Sequence, residues 1–269
     1  MNKRGQVTLF IIVAIVIVAV AVLSVTLWPK ISDYFMSEQQ SRAFLSTEGE
    51  RLTNNVQDCV ETVSKEIFQK IGFQAGYYNY SHLSAIDFSG PKVVVMYKDD
   101  NSFRINNLPS LDKIEQEFVL ALNTEGYSKI DSCLNNFNDF KRKMDVLPSS
   151  RTITADIRDD DILIKTDWPI TIKKGRASAL LQQKDVLLLI PLGKVWRVAN
   201  SVVSEHETQQ REFVWNMEDF IRRNDFLLTY IRISSQNWPT FEQTLFFITT
   251  IPYRPGEEPY NFYFAVDRS

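Results

Sequence analysis

The sequence predicts an α+β protein in which an N-terminal transmembrane helix continues into a helical stalk. Helices followed by a mainly antiparallel sheet then form a mixed ectodomain. Three observations predict this. No Asp, Glu, Lys or Arg occurs between Arg4 and Lys30. Apolar residues then recur every three or four positions from Leu52 to Met144, the period of one helix face. Beyond residue 150 the apolar period becomes two, that of a half-buried strand. The expected division is a membrane segment at 1–28, a stalk at 29–50, a helical part with a small hairpin at 51–148, and a β-rich part with one inserted helix at 149–269.

The membrane segment rests on length and charge. Leu9 to Leu23 is an unbroken apolar run, and residues 7–28 make a 22-residue stretch. At ~1.5 Å per residue that stretch is about 33 Å long, matching a hydrocarbon core of ~30 Å. Many of its residues are Val or Ile, mediocre helix formers in water. In lipid the helix is still favoured, because every unpaired backbone amide there costs several kcal/mol. Lys3 and Arg4 precede the run, and only Lys30 follows it closely before Asp33 and Glu38. The positive-inside rule then puts the amino terminus in the cytoplasm and residues 30–269 outside it. Trp28-Pro29 makes a poor signal-peptidase site, and Trp28 suits an interfacial anchor.

The residues ahead of the run, Lys3-Arg4-Gly5-Gln6-Val7-Thr8, resemble the amino terminus of archaeal type IV pilin-like proteins, which carry a class III signal. In that family a basic pair and a glycine precede the hydrophobic helix, and a membrane peptidase cuts after the glycine. The resemblance implies processing between Gly5 and Gln6 and covers some twenty-five residues. Where the family often carries a glutamate, this chain has Phe10. The stretch from Cys59-Val60 to Gly76-Tyr77-Tyr78 is similar to membrane-anchored proteins of small-genome archaea that share the same start.

The elements follow in order. The stalk carries sparse apolar positions at Ile31, Tyr34, Phe35, Phe44 and Leu45. Leu52, Val56, Cys59, Val63, Ile67 and Ile71 line one helix face, with Gly72 as the expected stop. Residues 74–91 read as loop. Val93–Tyr97 and Phe103–Ile105 flank a polar turn and read as a hairpin. Pro109-Ser110 opens a helix with Ile114, Phe118 and Leu122, which Gly126 punctuates. Ile130, Cys133, Phe137 and Met144 continue on a further helical face before Pro148. Ile153–Ile157 and the run from Ile162 flank Asp159-Asp160-Asp161, a hairpin whose Pro169 marks an edge or bulge. Ala177–Leu189 reads as a strand or strand pair. Val195, Val198, Val202, His206, Phe213, Met217 and Ile221 mark a helix over 192–222. Strands over Phe226–Ile233, Thr244–Ile251 and Asn261–Val266 close the chain.

Composition excludes several functions. The chain has 30 basic and 33 acidic residues; without Lys3 and Arg4 the outer part is at −5. Nucleic-acid binding would need a basic stripe. There is no P-loop, GxGxxG or GxSxG pattern, so nucleotide-binding and serine-hydrolase chemistry lack their frames. His206-Glu207-Thr208-Gln209-Gln210 approaches the HExxH zinc pattern but puts Gln210 where a second imidazole must stand. Asp159–Asp161 and Asp99-Asp100-Asn101 lack the alternating ligands of a calcium loop and read as solvated turns. No metal or cofactor is therefore expected.

Two cysteines remain, Cys59 and Cys133, each on an apolar helical face. Outside the cytoplasm they form a candidate disulfide tying two helices; the alternative is two buried thiols. Asn79-Tyr80-Ser81 is a glycosylation sequon beside Tyr77 and Tyr78. Those tyrosines suit either a contact surface or packing under the loop. No nucleophile–base pattern stands out, so a non-enzymatic cell-surface protein acting by interaction or assembly, with a pilin-like subunit as one form of it, is the first expectation. Its partners would be the bilayer through residues 7–28 and copies of itself or other membrane proteins. An anchored ectodomain that binds or processes an envelope ligand at a site assembled only in three dimensions is the second.

Overall fold

The computed structural model describes residues 14–22, 37–88, 92–100, 103–208, 216–224, 231–237, 240, 242–252 and 258–268. Gly5, Gln6, Phe10, Phe213, Phe226 and most of the expected span and early stalk lie outside these. Residues 14–22 are helical, with Ile15, Val16, Ile17 and Val18 exposed. Among the described residues no helix is long and apolar enough to cross a membrane.

Helix α1, Glu38–Phe73, spans 36 residues. Residues 38–50 of the expected helical stalk are its first turns. Ser41, Leu45, Gly49 and Leu52 recur at helical spacing and are all buried, so small residues extend an apolar face that hydrophobicity alone does not mark. The helix ends one residue beyond the expected stop at Gly72. The chain turns at Ala75 and Gly76, whose φ values are +56° and +96°. Gly76 N donates to Ile71 O at 2.9 Å, a terminating bond that glycine permits without a Cβ penalty.

Two compact units follow, each discontinuous in sequence. Their membership runs across the 148/149 division expected from the change of period.

The smaller unit takes residues 38–52 of α1, 138–149 and 170–181. It contains α4, Asn138–Lys141, and the antiparallel strands β4, Asp145–Pro148, β7, Ile170–Lys174, and β8, Ala177–Leu181, in the order β4-β7-β8. Gly49 lies against Leu181 and Ile172, where a Cβ would stand 3.0 and 3.2 Å from their methyl carbons. Lys143 Nζ is 3.2 Å from Glu48 Oε1. The helical face expected through Met144 ends early, because residues 145–148 are strand and Pro148 sits at its end.

The larger unit holds the rest. Its first helices are α2, Leu111–Ala121, and α3, Tyr127–Cys133. Ser110 caps α2, accepting from Lys113 N at 3.2 Å. Gly126 does not interrupt the run: Leu122–Gly126 is a π-helical turn joining α2 to α3. A Cβ at Gly126 would sit 3.0 Å from Ile67, so the glycine lets α1 approach closely. Phe68 of α1 stacks on Phe118 of α2 with centroids 4.7 Å apart. After α3 the chain breaks through Asn135, Asn136 and Phe137, all at positive φ. Asparagine tolerates that region; Phe137 is held there by burial and edge contact with Trp168 at 5.7 Å.

The main sheet has β1, Ala85–Asp87, β2, Lys92–Asp100, β12, Asn261–Asp267, β11, Gln243–Thr250, and β10, Ile231–Asn237, in that order, with β3, Phe103–Asn106, also on β2. All its pairs are antiparallel except β12 with β2. A separate sheet joins β5, Thr152–Ile157, β6, Ile162–Asp167, and β9, Val186–Leu188. Among the described residues the expected single sheet is three, and the chain leaves β6 at Trp168-Pro169, where proline cannot donate to a ladder. Helix α5, Leu192–Thr208, buries Val195, Val198, Val202 and His206 and contacts β2, β11 and β12. A shorter helix, α6, covers Met217–Arg223, capped by Asn216.

Cys59 of α1 and Cys133 of α3 are joined by a disulfide, with Cα atoms 5.9 Å apart. The bond closes a loop of 74 residues, so the chain-entropy model gives it roughly 4 kcal/mol. Urea unfolding with and without reductant is expected to differ by about that amount, and Cys133→Ser should lose the same stability without reductant.

Candidate functional site

A cleft of about 770 Å³ in the larger unit is the best-formed candidate. One wall is the outer side of α1. Thr62, Lys65, Glu66, Gln69, Lys70 and Phe73 recur at the three- and four-residue steps of one helix face. The opposite wall comes from chain ends: Leu189 and Ile190 after β9, Thr250 to Pro252 at the end of β11, and Glu258 and Tyr260 before β12. The floor is apolar. Ile190 and Tyr260 are buried, while Phe73 and Ile251 are 42% and 37% exposed.

The two segments before and after the β11–β12 connection are drawn together by reciprocal bonds. Thr250 N donates to Tyr260 O, and Tyr260 N donates to Thr250 Oγ1, both at 2.9 Å. Gln69 Nε2 donates to Pro259 O at 2.9 Å, tying that corner to α1. Gly72 makes the approach possible. A Cβ there would lie 2.2 Å from Asn261 O and 2.8 Å from the Tyr260 hydroxyl. The Tyr260 hydroxyl and Gln69 Oε1 are buried and make no hydrogen bond among the described residues, and burial pushes the Tyr260 phenol well above its ordinary pKa.

The helix charges at the rim already have partners. Lys65 Nζ is 2.7 Å from Glu61, Glu66 is 3.2 Å from Lys129, and Lys70 is 2.9 Å from Glu125. Lys70 also lies 4.4 Å over the Tyr78 ring. Partial burial is the largest influence on Lys70 and pulls its pKa down, but the Glu125 hydrogen bond and charge outweigh it and leave it raised. The Lys70 hydrogen bond in turn lowers Glu125. Glu258 makes no ion pair among the described residues. No histidine or cysteine lines the cleft. An apolar floor with an amide, hydroxyl and spent-charge rim can hold an uncharged or weakly cationic amphipathic group. Among the described residues that line it, no nucleophile is hydrogen-bonded to a base.

The residues singled out from the sequence lie elsewhere. Cys59 and Cys133 are bonded to each other in the core. Asn79 is exposed, and its Oδ1 accepts from Ser81 N at 3.1 Å. Tyr77 is buried under the loop, donating to Asn107 O at 2.9 Å and meeting His82 edge-on. The Asp159–Asp161 turn is not merely solvated. Asp159 pairs with Arg197 at 2.5 Å, Asp160 with Lys194, and Asp161 with Arg158 at 3.5 Å. Its carbonyls at Arg158 and Asp159 also accept from Gly193 N and Lys194 N, so it docks the first turn of α5. Asp99, by contrast, is buried, 3.2 Å from Arg104. His206 is 2% exposed, its Nδ1 2.8 Å from Val202 O and its ring edge-on to Phe246. Among the described residues no group of three His, Cys, Asp or Glu side chains is arranged to hold a metal ion.

Comparison with protein-family models, curated proteins and solved structures finds no match to this chain.

Two outcomes test this geometry. Gly72→Ala should destabilise the fold by about 2 kcal/mol or more, because the backbone oxygen it meets cannot rotate away. Gly49→Ala, which meets only side-chain methyls, should cost less; paired thermal melts compare them. Burial, assisted by the Arg268 charge, lowers His206 from 6.5 to about 4 against the opposing Val202 bond. A lowered folded pKa means stability present above about 6.5 is lost as pH falls toward 4. The loss attributable to this residue is about 3 kcal/mol. His206→Gln should flatten that slope in urea titrations across the same window.

Proposed function

We propose that this chain is a single-pass cell-surface protein whose folded part outside the cytoplasm acts by interaction or assembly rather than catalysis. The observation that carries the reading is the uncharged window between Arg4 and Lys30, with Lys3 and Arg4 on its amino-terminal side. The disulfide between Cys59 and Cys133 supports an oxidising compartment for the folded part. The Lys3–Thr8 resemblance supports a pilin-like subunit processed after Gly5.

The cleft along α1 favours a second reading, an anchored ectodomain that binds an envelope ligand. Its apolar floor of Phe73, Ile190, Ile251 and Tyr260 suits binding, and among the described residues of the lining no nucleophile–base pair favours processing.

Protease added to intact cells stripped of outer coats should digest residues 30–269 and leave a membrane-bound stub. Full protection would overturn the topology. In the same samples, mass spectrometry of the mature amino terminus reads the processing step. A Gln6 start supports the pilin-like subunit, and a Met1 or Asn2 start removes it while leaving the anchored protein in place.

A further inference from the structure

The main sheet ends on an unguarded edge. β10 is a seven-residue strand paired to β11 in continuous register from Ile231↔Thr250 to Asn237↔Thr244, without a bulge. Among the described residues no strand pairs with its other side. Arg232, Ser234, Ser235, Gln236 and Asn237 are exposed. Natural sheets blunt such edges with lysine, proline, bulges or very short strands. The other outer strands of this sheet follow that rule at three and four residues, β1 and β3. β10 has no lysine, proline or bulge.

We propose that β10 is a docking edge for a second copy of this chain, the two β10 strands pairing antiparallel about a two-fold axis at Ser234. A strand with a free edge offers a row of backbone donors and acceptors to any extended segment. Recognition of a foreign peptide also needs side-chain pockets beside the edge, and the exposed Ser-Ser-Gln-Asn run builds none. Self-pairing needs only a compatible sequence, and this one is compatible. With Ser234 opposite itself, all seven residues overlap and Arg232 faces the neutral Gln236 of the other copy. Ile233 faces Ser235, and Ile231 faces Asn237. The strand's single charge therefore meets no like charge, whereas a shift that centres the axis on Arg232 sets two guanidinium groups opposite each other. The pairing makes one continuous sheet from two. A seven-residue ladder buries less than the ~1,200 Å² of a standard stable interface, so the dimer is weak and concentration-dependent.

The test uses the full chain in a mild detergent. Both native cysteines are in the disulfide, so Ser234→Cys introduces the single free thiol. Under an added mild oxidant it should give a covalent dimer in high yield. Asn237→Cys is the control: in this register its two copies lie about 20 Å apart, six residues at ~3.4 Å each, and should stay monomeric. Ser234→Lys sets two ammonium groups against each other and should weaken the dimer at least tenfold in sedimentation measurements. A wild-type chain that remains monomeric at tens of micromolar overturns the proposal. So does equal cross-linking at positions 234 and 237, or a dimer indifferent to Ser234→Lys, which places association elsewhere on the chain.

Discussion

The apolar stripe of α1 has to be covered, and much of the larger unit is arranged to do so. Val56, Val60, Val63, Ile67, Phe68 and Ile71 are each 3% exposed or less. Fully burying side chains of this size is worth roughly 1.5–3 kcal/mol apiece, an upper figure because real unfolded chains already bury part of that surface. The cover is specific rather than merely greasy. Phe118 stacks on Phe68, Gly126 lets Ile67 approach, and Cys133 bonds to Cys59. The π-helical turn at Leu122–Gly126 lies in the same stretch, where the α2–α3 run keeps contact with α1.

The opposite side of α1 has the complementary property. Its lysines and glutamates pair with neighbours on α1 and with Glu125 and Lys129 of the α2–α3 run. Exposed pairs of this kind contribute little to stability. Their consequence here is chemical: they leave a rim with few unspent charges around an apolar floor. The floor exists because Gly72 and the Thr250–Tyr260 bonds bring the start of β12 against the helix.

Ionic contacts matter more where they orient an element. The Asp159–Asp161 turn receives Arg197, Lys194 and Arg158 and accepts two backbone bonds at the start of α5. Gly193 is tight against that turn, with any Cβ 2.7 Å from Arg158 O. Arg151 does comparable work after the α3 break. It forks onto Asp131 and lies over the rings of Tyr127 and Trp168 at 4.5 and 4.6 Å. Guanidinium planarity allows both contacts at once.

Periodicity determined the helix of Leu52–Ile71, the hairpins at 92–106 and 152–167, the helix from Leu192 and the last two strands, because each buries a single face whose spacing is written locally. It also set the two cysteines on helical faces, and their bonding required only that those faces meet. What it did not mark were features carried by residues without a hydrophobic signal. Ser41 and Gly49 extend the face of α1 into the expected stalk because small side chains, not large ones, fill that contact. Gly72 and Gly126 read only as breaks, yet each also serves as a close approach, a role that depends on what stands opposite. The division into three sheets and the cleft had no local signature either. The cleft joins residues 62–74 to 189–190, 250–252, 258 and 260, all more than a hundred positions further along the chain. Only tertiary contact could decide which polar face of a helix would become a wall.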